Sequence, residues 1–330
     1  MPESSLHPAP SGRAPRVACA GMVVVDHVTP PLPRMPRSGE LIAVDGLVLN
    51  IGGGAANTGV DLARLGVPTS ICARVGEDAF GQFAAQTLAA HGVDVRDLMI
   101  DPKHETSQTL IVNVKGEDRR FIHSLGANRD FTPADLDPLI DRAPGVLYIG
   151  YLLLMPRLDP QGLAARFARA RQAGTITFLD VATPGPGEYL ETVKAVLPYT
   201  DVFVPNTDEA ALILGETDPV RQAVAFHEMG ARRVLVTCGE HGSVSVSAEN
   251  RLRVGVYPTE FVDGSGGGDA FNAGYIAGLL DDLSEPDCLR LGSAAGASCV
   301  RAVGTTAGVF TRAEADAFMA KHRLPIESLS

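Results

Sequence analysis

The sequence has no tryptophan, and aromatic residues make up only 5% of it. That scarcity does not imply disorder, because 45% of the chain is hydrophobic and 20% is charged, ample for a large core. Basic charge is also short. There are 28 Lys and Arg against 39 Asp and Glu, a net charge of −11. This argues against nonspecific binding to nucleic acid or a membrane surface, both of which need a basic face. It leaves room for an anionic substrate in a local basic pocket. Long apolar runs are missing, so no bilayer-spanning segment is expected. Paired cysteines are missing as well. The five cysteines, Cys19, Cys72, Cys238, Cys288 and Cys299, form no Cys-x-x-Cys and lie among apolar or small residues. They read as reduced core thiols, not as a metal or redox set. The first 15 residues are rich in Pro and Ser and lack an apolar signal core, which predicts a disordered lead and a cytoplasmic protein.

From Arg16 onward the pattern is ordered. Val17–Val25 is continuously apolar and predicts a buried strand. Leu41–Leu49 predicts two short strands broken near Asp45-Gly46. Helix and strand patterns then alternate. Helices are expected over Ala55–Leu65, Ala79–His91, Gly162–Ala173, from Asp208, Pro219–Met229, Gly268–Leu280 and Pro286–Arg301. Strands are expected over Thr69–Val75, Val146–Ile149, Ile176–Val181, Asp201–Val204 and Arg233–Thr237. Two hairpins are expected as well, Thr109–Val114 with Arg120–Ser124 and Ser243–Ser247 with Leu252–Tyr257. The alternation predicts an α/β fold, a mainly parallel sheet covered on both faces. The pieces at about 37–50 and 105–124 break the rhythm and predict a small β-sheet appendage, a lid, on a domain spanning 16–325.

Four segments carry chemistry. Asp263-Gly264-Ser265-Gly266-Gly267-Gly268-Asp269 leads into a helix. Its glycines let successive N–H groups form an anion nest at a helix N-terminus. Asp269 at the rim then accepts a proton from an attacking hydroxyl, or else simply caps the helix. No Lys-Ser or Lys-Thr follows, so the loop is not a Walker A motif. The second segment is Gly52-Gly53-Gly54-Ala55-Ala56-Asn57, where a ligand can approach the backbone and Asn57 can meet a hydroxyl. A plain hairpin-to-helix turn fits it equally. Asp26, the third, follows a buried strand where ligands of α/β sheets gather, or is a turn residue. In Pro205-Asn206-Thr207-Asp208-Glu209, the fourth, Asn206 and Glu209 share one face of a first helical turn. They suit a hydrated Mg²⁺, or an N-cap with an acidic first turn.

In this order and spacing the segments resemble the ribokinase-like (PfkB) carbohydrate kinase family, over roughly residues 16–320. The two glycine-rich motifs are specific in combination. The resemblance implies a three-layer α/β/α sandwich with a β-lid, and an ATP- and Mg²⁺-dependent kinase acting on a primary hydroxyl of a sugar or sugar derivative. Asp269 matches the catalytic base, and the backbone of Gly266, Gly267 and Gly268 the anion hole. Asp26, Gly52, Gly53 and Asn57 match sugar-contacting positions. Asp180, Asn206, Glu209, Thr237, Gly239 and Gly242 match the nucleotide side, with Glu209 holding Mg²⁺ through water. Asp263 and Ser265 match ligands of a monovalent cation such as K⁺. The loop departs from the family at Gly264 and Ser265, in place of two threonines, and at Gly267, in place of an alanine. Gly150–Met155 lacks the acidic residue that ribokinases carry after that strand, which points away from ribose. Gly126-Ala127-Asn128 matches a stretch beside the sugar; Arg129 reads as a solvated side chain, or else meets a substrate anion. The competing readings are a nucleoside kinase, with Tyr151–Leu154 packing on a base, and a sugar- or nucleotide-sensing protein without turnover. The resemblance also implies a homodimer formed through the lid.

Overall fold

The computed structural model describes residues 16–117 and 119–329. The lead at 1–15 and Asp118 of the expected turn lie outside the described residues. The first half of the chain contains β1 (Val17–Gly21), β2 (Val24–Val28), β3 (Val48–Gly52), α1 (Gly54–Arg64), β4 (Thr69–Gly76), α2 (Ala79–Ala90), β5 (Asp94–Asp101), β6 (Gln108–Val112), β7 (Arg120–Ser124), α3 (Asp137–Asp141) and β8 (Val146–Gly150). There follow α4 (Pro160–Gln172), β9 (Ile176–Asp180), α5 (Leu190–Val196), β10 (Val202–Val204), α6 (Thr207–Leu214), α7 (Pro219–Glu228), β11 (Arg233–Thr237), β12 (Ser243–Ser247) and β13 (Arg251–Val254). The chain closes with α8 (Gly267–Leu280), α9 (Glu285–Cys299), α10 (Arg312–Lys321) and β14 (Ile326–Ser328).

The large sheet runs β14-β13-β12-β11-β10-β9-β8-β1-β4-β5. Every pairing from β11 across to β5 is parallel, and the pairings from β11 out to β14 are antiparallel. Successive side chains of a strand point to opposite faces. Val17 and Cys19 accordingly enter one core while Ala18 and Ala20 enter the other. Helices α1, α2, α8, α9 and α10 close the first core, and α3 to α7 close the second. Both faces are dry, so β1, β8 and β10 read as unbroken apolar runs. Helices α8 and α9 approach closely because both are rich in small residues. A Cβ on Gly278 would come within 3.0 Å of Cys288 Cα. Side-chain caps set the helix starts: Asp78, Asp159 and Asp218 each accept from a backbone N–H of the following first turn, worth about 1 kcal/mol apiece. No helix among the described residues is long and apolar enough to cross a membrane.

A second, lid-like sheet runs β3-β2-β6-β7. Here the sequence reading needs two corrections. The apolar run 17–25 is not one strand, because Gly21, at φ 131°, turns the chain out of the large sheet and β2 enters the small one. Apolar patterning alone cannot show this, since the run is buried on both sides of the break. The second correction is at 41–47, which forms no strand; Leu41 is 86% exposed, and β3 pairs with β2 instead. Strand β5 and helix α5 are not among the elements expected from the sequence. Strand β5 is an edge strand, where the charges of Asp94, Arg96 and Asp97 are tolerated on the pleat.

Candidate active site

The candidate residues gather at the carboxyl ends of the parallel strands, where α/β sheets bind ligands. Helix α8 begins at Gly266, which takes φ 75° and has no side-chain cap. A Cβ on Gly266 would strike the Thr305 carbonyl, while one on Gly268 would meet nothing within 4 Å. The start of α8 is thus packed on one side and open on the other. Asp269, in its first turn, is 3% exposed. Its Oδ2 accepts from Asn57 Nδ2 at 2.9 Å and from the Tyr151 hydroxyl at 2.9 Å. Its Oδ1 is buried with no partner among the described residues. Burial raises its pKa to about 6, against the lowering pull of these donors.

Asn57 and Tyr151 reach this point from elements far apart in sequence. Gly53, at φ 91°, begins α1 where a side chain would collide with the Met22 carbonyl, and Asn57 projects from the first turns that follow. Its Oδ1 is buried and unpartnered among the described residues. Tyr151 follows β8 in the left-handed region, at φ 65°. Such a conformation costs a non-glycine residue on the order of 1 kcal/mol. Gly54 makes room for the ring, since a Cβ there would lie 2.7 Å from it. Tyr151 carried no motif signal as a partner of Asp269. Its positive φ and ring packing exist only in the fold. Leu153 and Leu154, partly buried, pack against the second core.

Asp26, on β2, is 9% exposed. Burial raises its pKa to about 6, while a hydrogen bond from Thr109 opposes the rise. A Cβ on Gly52 would run into this carboxylate, so the glycine lets the two strands close there. Asn128 is fully buried, and its amide bonds both the Val23 carbonyl, at 2.8 Å, and the Val23 N–H, pinning the chain where it passes between sheets.

Asp180 ends β9. Its Oδ2 accepts from the Tyr148 hydroxyl at 2.9 Å and from Asn272 at 3.1 Å, and its Oδ1 from Val181 N–H at 2.8 Å. Burial first, then the charges of Asp269 and Glu209, push its pKa well up. Glu209 rises to about 7, chiefly by burial, with the Asp269 charge adding to it. Asn206 and Glu209 do form an N-terminal capping box on α6, at 2.8 and 2.9 Å. The same pair therefore caps the helix and lends one carboxylate to a buried acidic set of Asp180, Glu209 and Asp269. Asp180 and Glu209 are oxygen donors of the kind that hold a hard divalent cation such as Mg²⁺ through its water shell.

Thr237 bridges to Asn206 in parallel fashion. Gly239 and Gly242 turn the chain into β12 at φ 56° and 85°, and a side chain on Gly242 would strike the Val254 carbonyl. Beside this turn lies a cavity of about 420 Å³ lined by Thr207, Asp208, Cys238, His241 and Arg253. Asp263 Oδ1 accepts from Ser265 N–H at 3.0 Å and Ser265 Oγ at 2.8 Å, and its Oδ2 from Gly304 N–H at 3.1 Å. Arg119, between β6 and β7, places Nη1 3.0 Å from the same Oδ1 and against Ser265 Oγ.

A buried carboxylate in the first turn of the glycine-led helix α8, with acidic side chains near it, is an arrangement chemically suited to moving a proton off a hydroxyl. Comparison with known proteins agrees with that class. The family model for pfkB family carbohydrate kinase matches residues 14–312, and the chain belongs to that family. It is 30% identical over 321 residues to a ribokinase of Arabidopsis thaliana, covering 92% of this chain and 81% of the relative. The solved structure of Arabidopsis thaliana ribokinase with ribose and ATP superposes with a TM-score of 0.80 at 24% identity, over 93% of this chain and 99% of that one. A solved Escherichia coli structure in complex with ATP and Mg²⁺ gives a TM-score of 0.79 at 24% identity, over 94% and 100% of the two chains. The mainly parallel sheet, the helical layers and the separate small sheet are those of the ribokinase-like fold.

Proposed function

We propose that this protein transfers the γ-phosphate of ATP to a primary hydroxyl of a sugar or sugar derivative, within one domain spanning 16–325 that the small sheet covers as a lid. The observation that carries the reading is the state of Asp269: one carboxylate oxygen is held by two donors, and the other is buried and unpartnered among the described residues. The incoming hydroxyl donates to Oδ1. As its oxygen attacks the γ-phosphorus, its proton passes to that carboxylate, the bond to the bridging oxygen breaks and ADP leaves. With a pKa of about 6, Asp269 is ionised at neutral pH and suited to general-base work. The backbone N–H groups of Gly266 to Gly268 face the charge that builds on the transferring group. Asp26 and Asn57 Oδ1 accept from other sugar hydroxyls. The Thr237–Gly242 turn and its neighbouring cavity take the nucleotide. Asp180 and Glu209 would hold Mg²⁺, which when bound neutralises phosphate charge. Exposed apolar residues on the small sheet, among them Val48, Phe121 and Ile122, support pairing of two copies through it.

An ATP-coupled screen over sugars, sugar acids and nucleosides tests the reading, run with wild type and Asp269→Asn. A sugar or sugar acid should be the best acceptor, and the variant should lose about 100-fold or more in kcat. Full turnover by the variant refutes the base assignment. Adenosine preferred over every sugar makes the protein a nucleoside kinase. Thermal stabilisation by a sugar without any turnover makes it a sensor.

A further inference from the structure

Asp263 stands three residues before Gly266, at the start of the glycine-rich loop, and its carboxylate is part of that loop's structure. It accepts from Ser265 N–H, Ser265 Oγ and Gly304 N–H, so it joins the nest to the loop after α9. Burial alone would raise its pKa, but these backbone and hydroxyl donors, with the Arg119 charge, hold it below the usual carboxylate range. Asp263 is therefore a fixed negative charge at the mouth of a site built to receive anions. Uncompensated, it opposes nucleotide binding. A monovalent cation at Asp263 and Ser265 would compensate it, but these residues do not fit one. Asp263 Oδ1 already takes Ser265 and, at 3.0 Å, Arg119, and Ser265 Oγ meets the same guanidinium nitrogen. Arg119 comes from the β6–β7 hairpin of the small sheet, 144 residues away in sequence. Its side chain is 33% exposed, and the guanidinium lies 5.8 Å from the centroid of the Phe121 ring.

Resting on the kinase reading above, we infer that Arg119 is a positioning residue that supplies, from the small sheet, the positive charge the nest loop needs in place of a bound monovalent cation. Two consequences follow. Nucleotide binding by the wild-type chain is indifferent to K⁺. The hairpin that carries Arg119 shares its sheet with Asp26 on β2, so the group that neutralises Asp263 and the proposed sugar contact belong to one structural unit.

The test is calorimetric titration of the full chain with Mg²⁺ and AMP-PNP, a non-hydrolysable ATP analogue, in KCl and in choline chloride at equal ionic strength. Wild type should bind equally in both salts. Arg119→Gln should bind about tenfold more weakly in choline, the scale of one lost charge-assisted contact, and K⁺ should recover most of that loss. Arg119→Lys, which keeps the charge, should stay near wild type in both. The pair is part-exposed, so the melting temperature of Arg119→Gln should move by no more than about 4 °C. The inference is overturned if K⁺ tightens wild-type binding about tenfold, or if Arg119→Gln matches wild type in choline. It is also overturned if K⁺ leaves the Gln defect untouched, because the contact is then steric support and not charge. Failure of the wild type to bind the nucleotide at all brings down the kinase reading itself, which none of the other outcomes does.

Discussion

Tyr151→Phe isolates one hydrogen bond at the proposed base. The substitution removes an oxygen and keeps the ring that Gly54 accommodates. The Tyr151 hydroxyl donates to Asp269 Oδ2 at 2.9 Å, beside the bond from Asn57. Both donors favour the ionised carboxylate, so both lower its pKa against the upward push of burial. A hydrogen bond to a charged, buried group is worth about 1.5–3 kcal/mol, and about 1.4 kcal/mol corresponds to one pH unit. Loss of the hydroxyl should therefore raise the Asp269 pKa by roughly one to two units from about 6. The assay is kcat/KM against pH between 5 and 9, whose acidic limb reports the free enzyme's base. In the wild type the limb should lie near 6. In the variant it should move to higher pH, so that activity collapses at pH 6 and largely recovers by pH 9. An acidic limb that stays in place while activity falls uniformly would refute the assignment, showing that Tyr151 shapes the pocket without tuning the base.

Two further substitutions separate folding from chemistry. Gly268→Ala has open space for its methyl group and sits early in α8. Its melting temperature should match or exceed wild type, because Ala is favoured over Gly in a helix by about 1 kcal/mol. Turnover should fall at least about tenfold as the methyl intrudes on the nest; intact turnover would place the anion elsewhere. Asp61, on α1, is 0% exposed and neither of its oxygens has a partner among the described residues. Burial, then the Asp269 charge, raises its pKa well above the usual range. An acid whose folded pKa is raised contributes a penalty that grows as pH climbs above the unfolded pKa, by up to about 1.4 kcal/mol per unit until the folded pKa is reached. Asp61→Asn should therefore melt higher than wild type at pH 8, and the gap should shrink toward pH 4. A gap independent of pH would show that folding does not shift the Asp61 pKa, and an Asn variant melting below wild type at pH 8 would show that Asp61 is charged and paired in the fold.

Local physics made much of this legible before any coordinates. Alternating apolar runs and helical periods predict a parallel sheet covered on both faces because burial on both sides demands those patterns. The glycines at 52–53 and 266–268 mark turns into helices, and Asn206-x-x-Glu209 marks a cap, because those geometries are set within a few residues. What local pattern could not reveal is which distant group each one meets. Asn57 is 212 residues from Asp269 and Tyr151 is 118, and only packing of α1, β8 and α8 makes them partners. An apolar run says nothing of which sheet it joins, so the exit of the chain at Gly21 was hidden. Nothing in the sequence around Arg119 marks it as a partner of Asp263; the small sheet carries it there. The sequence by itself determined most of the secondary structure, the layering and the residue types available for phosphoryl transfer. The tertiary structure decided which oxygen of Asp269 stays unpartnered and which charge faces Asp263, because burial and partner geometry depend on contacts between segments remote in the chain.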